Sequence, residues 1–211
     1  LNKVKKKSGF FDRRIVNLDV TYLCALECPN CQRQFMIRDK GFAVTGEHLS
    51  KTNFKKVVEF FNYIDFEGQY SDPVHHPQFI EFLEICKDYN VGVEVHNASS
   101  VKPKKWYRQA FLANPNAKWV FAIDGLPENS SKYRINQDAQ KLFDIMIDAK
   151  NYLDKKPIWQ YIVFKYNEND IQRAIDMACE ADIGFFTIYS ARWLGDNDPY
   201  MPSQKYRLPK R

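Results

Sequence analysis

From residue 15 to residue 190, short β-prone runs alternate with amphipathic helical stretches, and this alternation restricts the fold more than any other feature of the chain. A first strand-like run covers 15–20. A helix is expected over 49–63, where Phe54, Val57, Val58 and Phe61 recur at helical spacing. Residues 63–66 form a second strand. Pro77 then opens a helix at a position where its missing N–H costs little, with Phe79, Phe82, Leu83 and Cys86 on one face. Strands follow at 91–96, 118–124, 157–164 and 184–189. Between them lie helices at 104–112 and 140–153, and one carrying Ile171, Ala174, Ile175, Ala178 and Cys179. Six strand–helix units with right-handed crossovers place the chain in the α/β class, as a partial (β/α)6 TIM-like barrel of parallel strands with outer helices.

With 211 residues, the chain is expected to be one core domain with short extensions. The boundaries read as a basic N-terminal arm at 1–14, a core at 15–192 and an extended C-terminal tail at 193–211. The net charge of +5 is unevenly spread. Residues 1–14 hold six basic residues and one acidic, residues 201–211 hold four basic and none acidic, and the body between carries −4. The basic ends are either solvated tails or arms that touch an acidic partner such as RNA. No apolar run approaches the ~20 residues that cross a bilayer. Lys3, Lys5, Lys6 and Lys7 lead into polar sequence and not into an apolar signal core. A cytoplasmic location without membrane contact is therefore expected.

Three of the five cysteines, Cys24, Cys28 and Cys31, follow the first strand in a C-x3-C-x2-C spacing. Barrel-type folds place their chemistry at that end of the strands. Three thiolates on one short loop can converge on a soft metal centre. Iron–sulfur clusters usually take four cysteines, so three would leave one iron open to a ligand. The competing reading is zinc, which would need a fourth ligand, and the nearest candidate is His48. An odd cysteine count in a cytosolic chain argues against disulfides. Cys86 and Cys179 lie on apolar helix faces and are expected to be core thiols.

Cys24-Ala-Leu-Glu-Cys28-Pro-Asn-Cys31 resembles the signature of the radical S-adenosylmethionine (SAM) superfamily, and the likeness continues along the chain. The segment Gly68 to Pro73 is similar to that family's Gly-Gly-Glu-Pro motif. His96-Asn97-Ala98-Ser99 resembles its Thr-Asn-Gly loop, and Phe121 to Gly125 its Ser-x-Asp-Gly strand end. Among its branches, the SPASM/twitch peptide-modifying enzymes look most similar. Residues 180–211 contain no cysteine, so a multi-cysteine auxiliary domain like theirs is not expected within these residues.

The resemblance implies that Cys24, Cys28 and Cys31 hold a [4Fe–4S] cluster whose fourth iron binds SAM. Reductive cleavage would give a 5′-deoxyadenosyl radical, which abstracts hydrogen from a peptide or protein substrate. Gln69, Ser71 and Asp72 would face the SAM ammonium. Asn97 and Ser99 would contact the ribose or carboxylate, Asp124 the ribose hydroxyls and Arg134 the carboxylate. Flavodoxin or ferredoxin is the implied electron donor. The chain departs from the pattern at Ser71, Asp72, Ala98 and Ala122, and at Asn30, where relatives often carry an aromatic. His75 and His76, before Pro77, are read either as facing the site mouth or as a turn-exposed pair; substrate-side groups are expected among Gln160, Lys165, Tyr189 and Arg192, with Trp193 over the opening. The alternatives are modification of a nucleotide or RNA, an activating enzyme that installs a glycyl radical on a partner, a fold that binds SAM without cleaving it, and a non-catalytic zinc-bearing binding module.

Overall fold

The computed structural model describes residues 14–190, 193–195 and 197–208. Residues 1–13 of the basic arm, Arg192 and residues 209–211 lie outside the described residues. Six strands form one sheet: β1 (Ile15–Asn17), β2 (Tyr63–Phe66), β3 (Gly92–Asn97), β4 (Lys118–Ala122), β5 (Ile158–Ile162) and β6 (Gly184–Ile188). Neighbours in the sheet follow chain order and every pair is parallel. Each crossover therefore steps in the same direction, and a constant right-handed sense keeps the crossover helices on one face. The sheet curls without closing, with β1 and β6 as its two edges, which is the partial barrel expected from the alternation.

Period-two alternation sorts the strand side chains onto two faces. Ile64, Phe66, Val93, Val95, Trp119, Phe121, Trp159 and Tyr161 are buried on the helix side. They meet α2 (Lys51–Phe60), α3 (Phe79–Asp88), α4 (Lys104–Ala113) and α5 (Ala139–Ala149). Phe54 of α2 stacks on Phe82 of α3 with ring centroids 4.0 Å apart, and Phe111 of α4 stands edge-on to Trp119 at 4.9 Å. Burying each such ring stabilises the fold by roughly 1.5–3 kcal/mol. The concave face is polar instead. Lys118 reaches Glu94 at 2.7 Å, Tyr63 donates to Glu94 at 3.0 Å, and His96 lies 3.3 Å from Glu94 and 3.6 Å from Asp65.

Several element ends differ from the periodicity for local reasons. Helix α2, expected from residue 49, begins at Lys51, because Ser50 caps it by accepting from Asn53 N–H while Leu49 N–H donates to Val20 O. Pro77 does not open α3. A 3-10 turn at Pro73–His75 comes first, and the His76 ring accepts from Gln78 N–H, which delays the helix to Phe79. A seven-residue helix, α1 (Gln32–Arg38), has no counterpart in the sequence reading. It buries no residue and so has no apolar stripe to reveal it. Cys86 is fully buried as expected, but Cys179 is exposed. The last helix, α6 (Ile171–Glu180), buries only Ala174 and Ala178, and Cys179 sits about 100° around from that narrow stripe.

The described part of the C-terminal segment is folded against the body and not extended. Asp198 is buried and accepts from Asn30, Leu194 and Tyr200, each at 2.8 Å. Tyr200 O accepts from Lys165 N–H at 3.0 Å, and its hydroxyl donates to Lys132 O.

Candidate functional site

The C-terminal ends of the strands open on a cavity of about 360 Å³, within the ~300–1,000 Å³ typical of small-molecule sites. Cys24, Cys28 and Cys31 line it on the loop between β1 and α1. That loop is tied from several sides. Ala25 N–H donates to His75 Nε2 at 3.3 Å and Glu27 N–H to Ile135 O at 3.2 Å. Asn136 donates to Ala25 O, and Cys31 N–H to Cys28 O at 3.0 Å. Leu26, Tyr133, Phe164, Trp193 and Tyr200 surround the sulfurs with apolar surface. Burial pushes the Cys24 thiol up to about 12 and raises Cys28 as well, the latter opposed by Arg134. Buried thiols like these ionise when a bound cation takes the place of the proton.

The second wall is the 68–72 loop after β2. Asp19 organises it by accepting from Gln69 N–H at 3.0 Å and from the Ser71 hydroxyl at 2.5 Å. A side chain at Gly68 would collide with Ser71 O, since its Cβ would lie 2.1 Å away, so the loop needs glycine there. Asp72 is buried and fully engaged. Its Oδ1 accepts from Val74 N–H at 3.2 Å, and its Oδ2 from the N–H groups of Ala98 and Ser99 at 2.8 Å each. Its carboxylate thus pins the loop after β2 to the loop after β3. Burial raises its pKa, and the backbone donors and His75 pull it back. Asn97 donates to the Tyr107 hydroxyl and Ser99 contacts His75, so both also brace this junction.

The third wall comes from the segment after β4. Asp124 is fully buried: Oδ2 accepts from Arg134 Nε at 2.6 Å and Oδ1 from Ile162 N–H at 2.7 Å. Its backbone N–H donates to Ser130 Oγ at 3.0 Å, while its carbonyl accepts from Tyr166 and Asn167. Gly125 holds φ at +138°, and a Cβ there would lie 2.2 Å from Asn129 Oδ1. Arg134 Nη1 points at Cys28 Sγ at 3.8 Å.

Gln69, Ser71, Asp72, Asn97 and Arg134 therefore line one cavity with the three cysteines, while Ser99 and Asp124 stand behind its wall. Gln160 also lines it. Lys165 is exposed, and Tyr189 stacks on Tyr206 away from the lining. Trp193 contacts Phe164 beside the cysteine loop. The sequence reading did not name Arg33, Glu67, Ile162 or Ile188, which line the cavity together with Tyr133, the neighbour of Arg134. Arg33 donates to Tyr22 O at 2.6 Å and Tyr70 O at 3.0 Å, joining the first two walls. Period two on β5 and β6 would have picked out Ile162 and Ile188 once Gln160 was placed inward.

Among the described residues, the metal-ligating set with all atoms within 4.8 Å of one another is Asp65, Glu67 and His96, on the concave wall.

No protein-family model matches the sequence, and no curated protein matches it. Solved structures do match the fold, which defines the chain as an α/β partial barrel shared with proteins solved with SAM bound. SuiB of Streptococcus suis bound to S-adenosylmethionine aligns with TM-score 0.64 at 11% identity, over 94% of this chain and 43% of that one. SuiB bound to its precursor peptide SuiA aligns with TM-score 0.64 at 12% identity, over 82% and 38%. The protein anSMEcpe with bound AdoMet and Kp18Cys peptide aligns with TM-score 0.59 at 13% identity, over 92% and 54%. The chain thus spans about half or less of the length of these proteins.

Proposed function

We propose that the chain is a radical SAM enzyme that acts on a peptide or protein. The observation that carries this reading is the placement of Cys24, Cys28 and Cys31 at the C-terminal strand ends. They line one cavity with the Gly68–Asp72 and Asn97–Ser99 loops, on a fold shared with proteins solved with SAM. A [4Fe–4S] cluster held by these cysteines would supply the electron that cleaves SAM to methionine and a 5′-deoxyadenosyl radical. The donor set fits it: three thiols on one loop, Cys28 buried and Cys24 and Cys31 part-buried, lining a cavity with apolar surroundings.

The chain's own residues bind, orient and exclude water. The 68–71 loop, shaped by Asp19, offers Gln69 and carbonyl oxygens to the SAM ammonium. Asp72 acts behind it, holding this loop to the Asn97–Ser99 loop that would meet the ribose or carboxylate. Asp124 holds Arg134 through Nε and Nη1 lies against Cys28 Sγ, which leaves Nη2 for contacts in the cavity. Tyr133, Phe164 and Trp193 keep water from the cysteine loop. A peptide substrate is supported by the bound peptides of the two structural neighbours. Flavodoxin or ferredoxin would supply electrons.

The test is anaerobic reconstitution with iron and sulfide, reduction with dithionite and an assay for 5′-deoxyadenosine from SAM. Wild type is expected to form it, and Cys28→Ala to lose iron and all product while keeping the folded sheet. Full activity in Cys28→Ala, or a zinc-only protein after reconstitution, would overturn the reading.

A further inference from the structure

We propose that Arg134 sets the reduction potential of the iron–sulfur group held by Cys24, Cys28 and Cys31, by placing a guanidinium N–H on the Cys28 sulfur. The inference rests on the reading that these cysteines hold such a group. Arg134 stands 106 residues from Cys28 in sequence, yet its Nη1 lies 3.8 Å from Cys28 Sγ, within reach of an N–H···S hydrogen bond. Nothing about the arrangement is loose. Nε is held by Asp124 at 2.6 Å, and Asp124 is itself held by backbone N–H from Ile162, by the Ser130 hydroxyl and by Asn167. Gly125 leaves room for Asn129 against this turn. The guanidinium thus cannot swing off the sulfur without breaking its bond to a fully buried carboxylate.

Arg134 and Asp124 form a buried ion pair of zero net charge with its positive end on the sulfur. Reduction of a [4Fe–4S] cluster adds one electron, taken from an external one-electron donor, and the arginine neither gains nor loses a proton or a bond. The added negative charge is spread over the sulfurs. A donor aimed at one of them favours the reduced state, and hydrogen bonds to sulfur are a recognised control on cluster potential. Tyr133, packed on Phe164 at 4.0 Å, keeps the surroundings apolar, which strengthens the interaction. The shift would favour electron uptake from a donor of modest reducing power.

The experiment is a redox titration of the reconstituted protein with titanium(III) citrate, without SAM, followed by the electron paramagnetic resonance signal of the reduced cluster. Leaving SAM out separates this role from any contact of Arg134 with the SAM carboxylate. Arg134→Gln combined with Asp124→Asn replaces the ion pair by a neutral amide pair and avoids an orphaned buried carboxylate. It is expected to lower the potential by at least a tenfold change in the reduction equilibrium, about 59 mV for one electron. Arg134→Lys keeps the charge, loses the fork and is expected to fall between. Asp124→Asn alone leaves the cation uncompensated and is expected to shift the potential upward. Unchanged potentials in the double variant and in Arg134→Lys, with iron fully loaded, would overturn the inference. A wild-type protein that takes up no iron would instead refute the reading on which it stands.

Discussion

Asp72 separates two roles that the sequence motif cannot distinguish, and Asp72→Asn tests them. As a SAM ligand, its carboxylate would matter only when SAM is bound. As placed in the structure, both oxygens are committed to three backbone N–H groups, Val74 on one side and Ala98 and Ser99 on the other. Asparagine has the same shape but one acceptor oxygen. Whichever way the amide turns, its NH2 must face backbone N–H donors, so at least one bond is lost and one buried donor is left unpaired. Hydrogen bonds to a charged acceptor contribute about 1.5–3 kcal/mol each, and an unsatisfied buried donor costs about 1–3 kcal/mol. A loss of roughly 2.5–6 kcal/mol follows from the two together, a large fraction of the ~5–15 kcal/mol that holds a domain together. At about 2–4 °C per kcal/mol for a chain of this size, the midpoint should fall by roughly 5–24 °C. The assay is thermal unfolding of the metal-free protein without SAM, with Asp72→Ala as the more severe variant. A midpoint equal to wild type, combined with lost SAM binding, would refute the clamp and return Asp72 to the ligand.

Two further outcomes follow from the same geometry. His76 is buried, donates through Nε2 to Leu49 O at 2.9 Å and accepts through Nδ1 from Gln78 N–H at 3.0 Å; burial holds its pKa below the usual 6.5. The unfolded chain therefore takes up a proton that the folded chain resists, and stability should fall as pH drops below about 6.5. His76→Gln should flatten that slope in a series of melts between pH 5 and 7.5, and an equally steep slope in the variant would exclude His76 as its source. Cys179 is exposed and Cys86 fully buried. Iodoacetamide on the folded protein should label Cys179 quickly and Cys86 only upon unfolding, as mass spectrometry of the peptides would report; equal rates would contradict the packing of α3 and α6.

Sequence alone determined the elements whose physics is local or periodic. The six strands and the amphipathic helices were legible because burial on one face writes a period of two or 3.6 into the chain. The cysteine loop was legible because all three sulfurs fall within eight residues, after a strand end where such folds carry chemistry. Helix α1 was not, since a helix that buries nothing leaves no stripe. The C-terminal segment reads as an extended tail because its anchors are single polar contacts across great separations, as between Asp198 and Asn30, 168 residues apart. Only the tertiary structure decided what the buried acids do. Asp72 meets backbone donors 26 and 27 residues away, and Asp124 steers Arg134 toward a sulfur 106 residues distant from it. A carboxylate's role depends on which donors surround it in three dimensions. Those donors are mostly backbone N–H groups, which every residue but proline carries and which no residue pattern can mark.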